Sequence, residues 1–437
     1  MSQPLRVLVN ARLLDPASGL DSPGGLVIEG ARIADLGRHV TRDGLAGDIL
    51  VQDMGGACVA PGLVDIRARL GEPGGEHKET IATASRSAAA GGITAVACLP
   101  DTNPPLDRVE GIEFIARRAR EVKRTKIFAY ACVTREARGE ALAELGLLAE
   151  AGAVGFSDGG RAVADPLVMS RALSYVRMTG LAIVQHPEEP RLASGAMNAG
   201  ELATRLGLAG IPRQAEVMMI ERDLRLVEMT GARYHAAHVS TAEAVEAIAA
   251  AKRRGLPVTC DTAPHYFALT ETDIGDYRTF AKVSPPLRGQ ADAAAIADAL
   301  ADGTIDILAS DHTPQDVDAK RQPFGVAEPG VVGFETLLPV GLELVHRGRL
   351  GLLDLLYRLT VAPASLIGRP LGRLAIGQPA DIVVFDPDRP WRIAEEGLAS
   401  KSKNTPFDGR PVQGAVLLTL VDGRVVFDRN TMEGGHA

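Results

Sequence analysis

The chain has 437 residues, of which 47 are lysine or arginine and 55 are aspartate or glutamate, so its formal net charge is −8. This balance excludes a nucleic-acid binder held by bulk charge, because neutralising phosphates requires a clustered excess of cations. Hydrophobic residues at 46% and charged residues at 23% exclude a mainly disordered chain. The length predicts either about three domains of roughly 150 residues or one large α/β domain with a small one.

The N-terminus and the cysteines indicate the cellular compartment. Residues 1–6 lack the basic-then-apolar pattern of a secretory signal, and no uncharged apolar run reaches the roughly eighteen residues that a membrane span requires. Four scattered cysteines form neither a CxxC pair nor a zinc-knuckle spacing, and we expect them to be buried free thiols: Cys58, Cys98, Cys132 and Cys260. The sequence therefore predicts a cytoplasmic protein that binds neither membranes nor nucleic acid.

Both ends of the chain are rich in β-type sequence. Short runs of β-type residues at 6–10, 25–30 and 49–53 are separated by turn signals, and similar runs occur at 380–386 and 416–427. Two β-rich ends around a different middle predict that the termini pair with each other. We expect a composite β-sandwich domain built from residues 1–60 and 370–437.

The middle, residues 61–369, alternates apolar runs with helical stretches. Eight runs resemble strands, at 62–66, 93–97, 126–130, 153–156, 182–185, 234–238, 257–260 and 305–309. Amphipathic segments such as 108–122 and 241–254 supply the crossover helices that parallel strands need. This pattern predicts a (β/α)₈ barrel, the TIM-barrel architecture, whose catalytic groups lie at the C-terminal ends of the strands.

Polar residues follow the predicted strands in succession. They are Asp65, Arg67, Arg69, Asp101, Asn103, Asp158, His186, His238, His265, Asp311 and His312. A single histidine of this kind is more often a hydrogen-bonded core residue, but several at consecutive strand ends favour a site. An aspartate after strand four with histidines after strands five and six has the composition of a zinc site.

Several segments, in order along the chain, resemble the bacterial dihydroorotases of the amidohydrolase superfamily. They are APGLVD at 60–65, AGGIT at 90–94, PDTNP at 100–104, FSD at 156–158, HVST at 238–241, SPPLR at 284–288, SDHTP at 310–314 and GFET at 333–336. The resemblance spans residues 1–430. It implies an amidohydrolase barrel with a β-sandwich made by both termini, binuclear zinc, and reversible closure of carbamoyl aspartate to dihydroorotate in pyrimidine biosynthesis.

The sequence departs from the family pattern at the residues that bind metal and substrate. The family's first strand ends in Asp-x-His-x-His, whereas here Arg67 and Arg69 stand at the histidine positions, and guanidinium has no lone pair to donate to zinc. Gly71 and Asp101 stand where family members have the Arg and Asn that bind the substrate carboxylate. Smaller departures are Gly159, Ser284 and Gln315, and the retained residues are Asp158, His186, His238, His265 and Asp311.

Two functions follow from these residues. The first is a pseudoenzyme without a cofactor, in which Arg67 and Arg69 pair with Asp158 and Asp311 in place of zinc. Inactive members of the family bind the aspartate transcarbamoylase catalytic subunit, so the resemblance implies that subunit as the partner, and we also expect a homo-oligomer.

The alternative is an active zinc-dependent dihydroorotase, or a related cyclic-amide hydrolase, that uses a single metal. Its ligands would be Asp158, His186 and His238, and Asp311 would transfer the proton. Asn103 and His265 would contact the substrate. Hydantoinase and allantoinase relatives rank lower, because the segment at 156–158 has no lysine for the carboxylated Lys that they use.

Overall fold

The structure is a computed structural model that describes residues 5–43 and 49–430. Three stretches of the predicted composite domain lie outside the described residues, namely 1–4, 44–48 and 431–437. The first of these stretches also belongs to the N-terminus that is predicted to lack a secretory signal. Five strands come first, each ended by a turn or a glycine: β1 (Leu5–Asp15), β2 (Leu20–Glu29), β3 (Arg32–Gly37), β4 (Ile49–Asp53) and β5 (Cys58–Pro61).

The next nine strands are β6 (Leu63–Ala68), β7 (Ile93–Cys98), β8 (Lys126–Ala129), β9 (Ile183–Gln185), β10 (Met197–Asn198), β11 (Gly210–Ile211), β12 (Tyr234–Ala236), β13 (Val258–Thr262) and β14 (Ile307–Leu308). All except the small β10–β11 pair belong to a parallel barrel. The fourth barrel position is a single residue, Phe156, which bridges Ala131 and Ile183. A parallel bridge between Ala68 and His312 closes the ring.

Thirteen α-helices are described, and most of them cross over between barrel strands. They are α1 (Ile81–Ala90), α2 (Val109–Val122), α3 (Leu145–Glu150), α4 (Pro166–Val176), α5 (Glu201–Leu206), α6 (Gln214–Thr230), α7 (Ala242–Arg253), α8 (Pro264–Ala268), α9 (Gln290–Asp302), α10 (Val317–Lys320), α11 (Phe334–His346), α12 (Leu352–Leu359) and α13 (Val361–Leu366). Short 3₁₀ turns lie at Arg135–Ala137, Arg177–Thr179, Glu271–Ile274, Thr279–Ala281 and Glu395–Gly397. Thr80, Asp165 and Thr241 cap α1, α4 and α7 by accepting backbone N–H bonds.

Three strands close the described chain: β15 (Ile382–Arg392), β16 (Pro411–Val421) and β17 (Arg424–Asp428). Because β15 pairs antiparallel with β5, strands from both ends form one eight-stranded sheet in the order β17-β16-β15-β5-β1-β2-β3, with β4 beside β1. Side chains from both halves of this sheet, such as Leu13 and Val384, share one buried apolar cluster. The predicted fold, a (β/α)₈ barrel with a β-sandwich from both termini, is confirmed.

All four cysteines are free and buried, as predicted. No helix within the described ranges is both long enough and apolar enough to cross a membrane. The fold therefore directs attention to the C-terminal ends of the barrel strands, where polar side chains face a cavity.

Candidate functional site

A cavity of about 400 Å³ opens at the C-terminal ends of the barrel strands, and we call it the mouth. Its lining includes six of the residues singled out from the sequence: Arg67, Arg69, Asp101, Asn103, His186 and Asp311. Arg67 lies at the end of the first barrel strand, and the others follow the first, second, fifth and eighth barrel positions. Their convergence is what a closed parallel barrel imposes on side chains at strand ends.

Arg67 forms a buried ion pair across the mouth. It lies on β6, is 2% exposed, and donates from Nε to Asp311 Oδ1 at 2.9 Å. Asp311 follows β14, with His265 Nε2 lying 3.7 Å from its other oxygen. The predicted contact between an arginine of the first strand and Asp311 is confirmed. The expected pairing with Asp158 is wrong, because the loop after β8 binds that carboxylate and Arg69 pairs with Asp101 instead. Arg67 Nη1 is buried and has no hydrogen-bond partner among the residues that the structure describes.

Arg69 forms a second ion pair, nearer to solvent. Its Nε and Nη2 both donate to Asp101 Oδ2, at 3.0 and 2.7 Å, and its Nη1 donates to Thr313 Oγ1 at 2.8 Å. Burial raises the pKa of Asp101, but the guanidinium of Arg69 more than offsets this, so the pKa lies below its ordinary value. The pair links the loops after the first, second and eighth strands.

Two glycines make room for this second pair. Gly159 has a φ of +69°, and a Cβ there would lie 2.3 Å from Asp101 Cγ. A Cβ on Gly160 would lie 2.5 Å from Arg69 Nη2, and the Gly160 N–H donates to Asp101 Oδ2 at 3.0 Å. The departures from the family pattern at positions 69, 101 and 159 therefore form one interlocking unit.

The histidines on the other side of the mouth contact each other. His186 Nδ1 and His238 Nε2 are 2.9 Å apart, so one ring donates and the other accepts. Burial, reinforced by the charge of Arg67, holds the pKa of His238 well below its ordinary value, which favours the neutral ring. Glu188 Oε2 lies 3.3 Å from His186 Nε2 and accepts a hydrogen bond from Ser284 Oγ.

Asp158 is turned away from these histidines. Its Oδ1 accepts the backbone N–H groups of Val133 and Thr134 at 2.8 and 3.0 Å, and its Oδ2 accepts from Thr134 Oγ1. Burial raises the pKa of Asp158 to about 6, against the opposing effect of these hydrogen bonds. In this structure the carboxylate shapes the loop that follows β8.

The residues present do not fit the zinc centre that the amidohydrolase architecture implies. Nowhere in the described part of the chain do three His, Cys, Asp or Glu side chains converge in a group that could hold a metal ion. The donors of the predicted remnant site point to different partners, since Asp158 binds the Thr134 loop while His186 and His238 bind each other. The structure thus corrects the expected grouping of these three residues, because backbone N–H groups already occupy the aspartate's oxygens.

The other predicted site residues lie at different depths. Asn103 is exposed at the rim of the mouth, whereas His265 is buried below it beside Asp311. Burial lowers the pKa of His265 to about 4. The sequence analysis missed Glu188, a 4% exposed acid beside His186, although its position two residues after His186 was a usable signal.

Comparison with known proteins identifies the class first. The fold superposes on an L-hydantoinase (dihydropyrimidinase) from Arthrobacter aurescens with a TM-score of 0.86 and 27% identity, covering 97% of this chain and 96% of that one. A sequence profile described as Amidohydrolase family matches residues 214–427, and one described as Dihydro-orotase-like matches residues 56–244. The barrel, its β-sandwich and its polar strand ends are thus those of an amidohydrolase.

Closer relatives define the family within that class. A protein named Dihydroorotase from Pelobacter propionicus is 45% identical over 97% of this chain and 99% of its own length. Another with that name from Syntrophotalea carbinolica is 44% identical, covering 96% of this chain and 98% of its own. The chain belongs to the dihydroorotase family of pyrimidine biosynthesis.

Proposed function

We propose that this dihydroorotase-family protein is a pseudoenzyme that supports the assembly of aspartate transcarbamoylase. The observation that carries the first half of the proposal is the buried Arg67–Asp311 pair. A guanidinium stands at a family metal-ligand position and neutralises the aspartate that would otherwise face a cation. Because guanidinium is protonated at every physiological pH and has no lone pair to donate, this position cannot ligate zinc.

The same pair removes a group that the reaction needs. In the family the aspartate after strand eight moves a proton between the attacking water and the substrate. Here Asp311 Oδ1 accepts from Arg67, and its side chain is only 7% exposed. General base catalysis needs a carboxylate oxygen within hydrogen-bond reach of the proton that is removed. The ion pair competes directly for that oxygen.

The substrate-binding groups are absent as well. Gly71 has a φ of +76°, and a Cβ there would lie 1.9 Å from the Glu79 carbonyl oxygen, so this backbone has no room for the family's arginine. Arg69 does not replace it, because all three of its nitrogens already bind Asp101 or Thr313. The Asp101 carboxylate would itself repel a carboxylate substrate.

The experiment that tests the first half is an assay of both reaction directions. We expect neither closure of carbamoyl aspartate nor opening of dihydroorotate above background. The variant R67H/R69H should regain zinc more readily than activity, because Gly71 and Asp101 still fail to hold the carboxylate. Wild-type turnover near 1 s⁻¹, at the low end of the enzyme range of about 1–10³ s⁻¹, would overturn the proposal.

The second half of the proposal is the partner. A barrel that lacks catalytic groups but has a complete fold can act by binding another protein through its surface. The family resemblance indicates the aspartate transcarbamoylase catalytic subunit as that protein. Co-expression followed by size-exclusion chromatography tests this. We expect one joint peak and a transcarbamoylase activity that depends on the complex. Separate elution at micromolar concentration, with transcarbamoylase activity unaffected, would contradict it.

A single-metal hydrolase is the second candidate. It is favoured by the adjacent His186 and His238 rings and by the names of the relatives. For this function the Arg67–Asp311 pair must open and the two histidines must separate to share a metal. Turnover that requires one zinc per chain would support this candidate over the pseudoenzyme.

A further inference from the structure

A second cavity, which we call the basic groove, lies on the outer wall of the barrel, and none of its lining residues lines the mouth. It runs over β8 between α2 and α3 and reaches the turn between β16 and β17. Helix α3 has only six residues, so it covers only part of the strand that it follows. The result is an open groove of about 1420 Å³.

The groove is lined by apolar residues and bordered by cations. Its partly exposed apolar residues include Ala116, Ala119 and Phe128. Six cations line it, namely Arg117, Arg120, Lys123, Lys126, Arg369 and Arg424. Its only two acids already have partners, since Glu121 pairs with Arg118 and Asp422 pairs with Lys126.

Five of the six cations, all except Lys126, form no ion pair within residues 5–43 and 49–430. Arg117, Arg120 and Lys123 recur at every third position along the end of α2. Arg369 stacks over the Phe128 ring at 4.9 Å, and its Nε is buried with no hydrogen-bond partner in the part of the chain that the structure describes. The chain as a whole has a net charge of −8, so these cations without ion-pair partners form a local positive patch beside an apolar surface. A ligand with acidic groups would be complementary to this patch.

We propose that the basic groove docks an acidic amphipathic segment of the aspartate transcarbamoylase catalytic subunit. This inference rests on the partner named under the proposed function and adds the surface that binds it. Apolar side chains of the segment would contact the apolar residues that line the groove, and its carboxylates would pair with the cations at the rim. A protein segment fits better than a nucleotide, because Arg369 already covers Phe128, the aromatic ring that could stack a base.

The test uses full-length protein and the purified transcarbamoylase catalytic subunit from the same organism. The groove variant is R117E/R120E, in which both residues are exposed on α2. The matched control is R171E/R225E, which makes the same change in net charge at exposed positions of α4 and α6. Association is followed by biolayer interferometry at low and high salt, after thermal unfolding has shown that both variants are folded like the wild type.

We expect the association rate of the groove variant to be about tenfold or more below that of the wild type at low salt. The ratio of the two rates should be smaller at high salt, because salt screens the charges. The control should stay within about twofold of the wild type. A neutral variant that narrows the groove, Ala116→Trp, should speed dissociation, because it changes shape without changing charge.

Each other result overturns the proposal in a distinguishable way. If wild-type protein binds the subunit and the groove and control variants behave alike, the groove assignment is wrong while the proposed partner stands. If wild-type protein does not bind at all, both the groove assignment and the partner fail. If R117E/R120E instead changes the mass of the isolated protein by light scattering, the groove binds a second copy of this chain.

Discussion

The two sides of the mouth differ in how they handle charge. On one side, which we call the arginine side, Arg67 and Arg69 form ion pairs that link neighbouring loops. On the other, the histidine side, His186 and His238 form a buried pair in which burial lowers the pKa of His238 and favours its neutral ring. The arginine side departs from the family pattern, and the histidine side follows it.

Under the proposed function, the difference explains how the barrel keeps its fold without a metal centre. Buried carboxylates need a compensating cation, and a guanidinium supplies that charge with a covalent tether to β6. The histidines share one hydrogen bond, between His186 Nδ1 and His238 Nε2, and His238 Nδ1 has no hydrogen-bond partner among the described residues. The proposed loss of activity therefore rests on the arginine side.

The largest effect is expected from removing the buried cation of the arginine side. Arg67→Ala leaves Asp311 buried and unpaired, and should lower the free energy of unfolding by about 3–5 kcal/mol. Urea denaturation measures this. R67M/D311L should recover most of the loss, because apolar groups replace both charges. Arg69→Ala, which removes a partly exposed pair, should cost clearly less. If Arg67→Ala and Arg69→Ala lower the free energy of unfolding equally, the buried pair is no more important for stability than the partly exposed pair, which would contradict this account.

The next effect concerns Asp158 and the pH dependence of stability. Its pKa is raised from 3.8 to about 6 in the folded chain, so the unfolded chain releases this proton first. Relative to Asp158→Asn, wild-type stability should therefore fall as pH rises from about 4 to about 6, by about 3 kcal/mol at most. Urea titrations across this window measure the difference. If Asp158 instead held a metal, its pKa would be depressed and the slope would have the opposite sign.

A smaller effect is expected at the two glycines beside Asp101. Gly159→Ala adds a Cβ against the carboxylate at a φ of +69°, and should cost about 1–3 kcal/mol of stability. Gly160→Ala has no positive φ to strain and meets the far end of the Arg69 side chain, which can shift by loosening its bond to Asp101, so we expect a smaller loss of about 1 kcal/mol. Thermal unfolding of the two variants gives the comparison. If Gly159→Ala is as harmless as Gly160→Ala, the glycine does not serve to admit the ion pair.

Much of the fold could be predicted from local sequence. Alternating apolar runs and amphipathic helices indicated the barrel, and turn signals between β-rich runs indicated the shared sheet. The predicted fourth strand at 153–156 keeps its place in the barrel, because residues 154–157 form backbone hydrogen bonds with both neighbouring strands, although regular bridging is limited to Phe156. The β10–β11 pair is only two residues long on each side, too short to leave a periodic signal.

The site was less predictable, because it depends on contacts between distant residues. The positions of Arg69 and Asp101 could both be read as departures, but they lie 32 residues apart and nothing local indicates that they bind each other. The direction in which the Asp158 carboxylate points could not be predicted from the sequence either, since the backbone N–H groups that bind it belong to the loop after the preceding strand. Strand ends predict where a side chain lies, and tertiary packing decides what it contacts.

The zinc content of the wild-type protein tests the central claim most directly. The protein should be purified without chelators from cells grown with added zinc, and its metal measured by elemental analysis. If guanidinium groups have replaced the metal, the zinc content should be far below one ion per chain, and R67H/R69H should contain more. One or two tightly held zinc ions per wild-type chain would contradict the account.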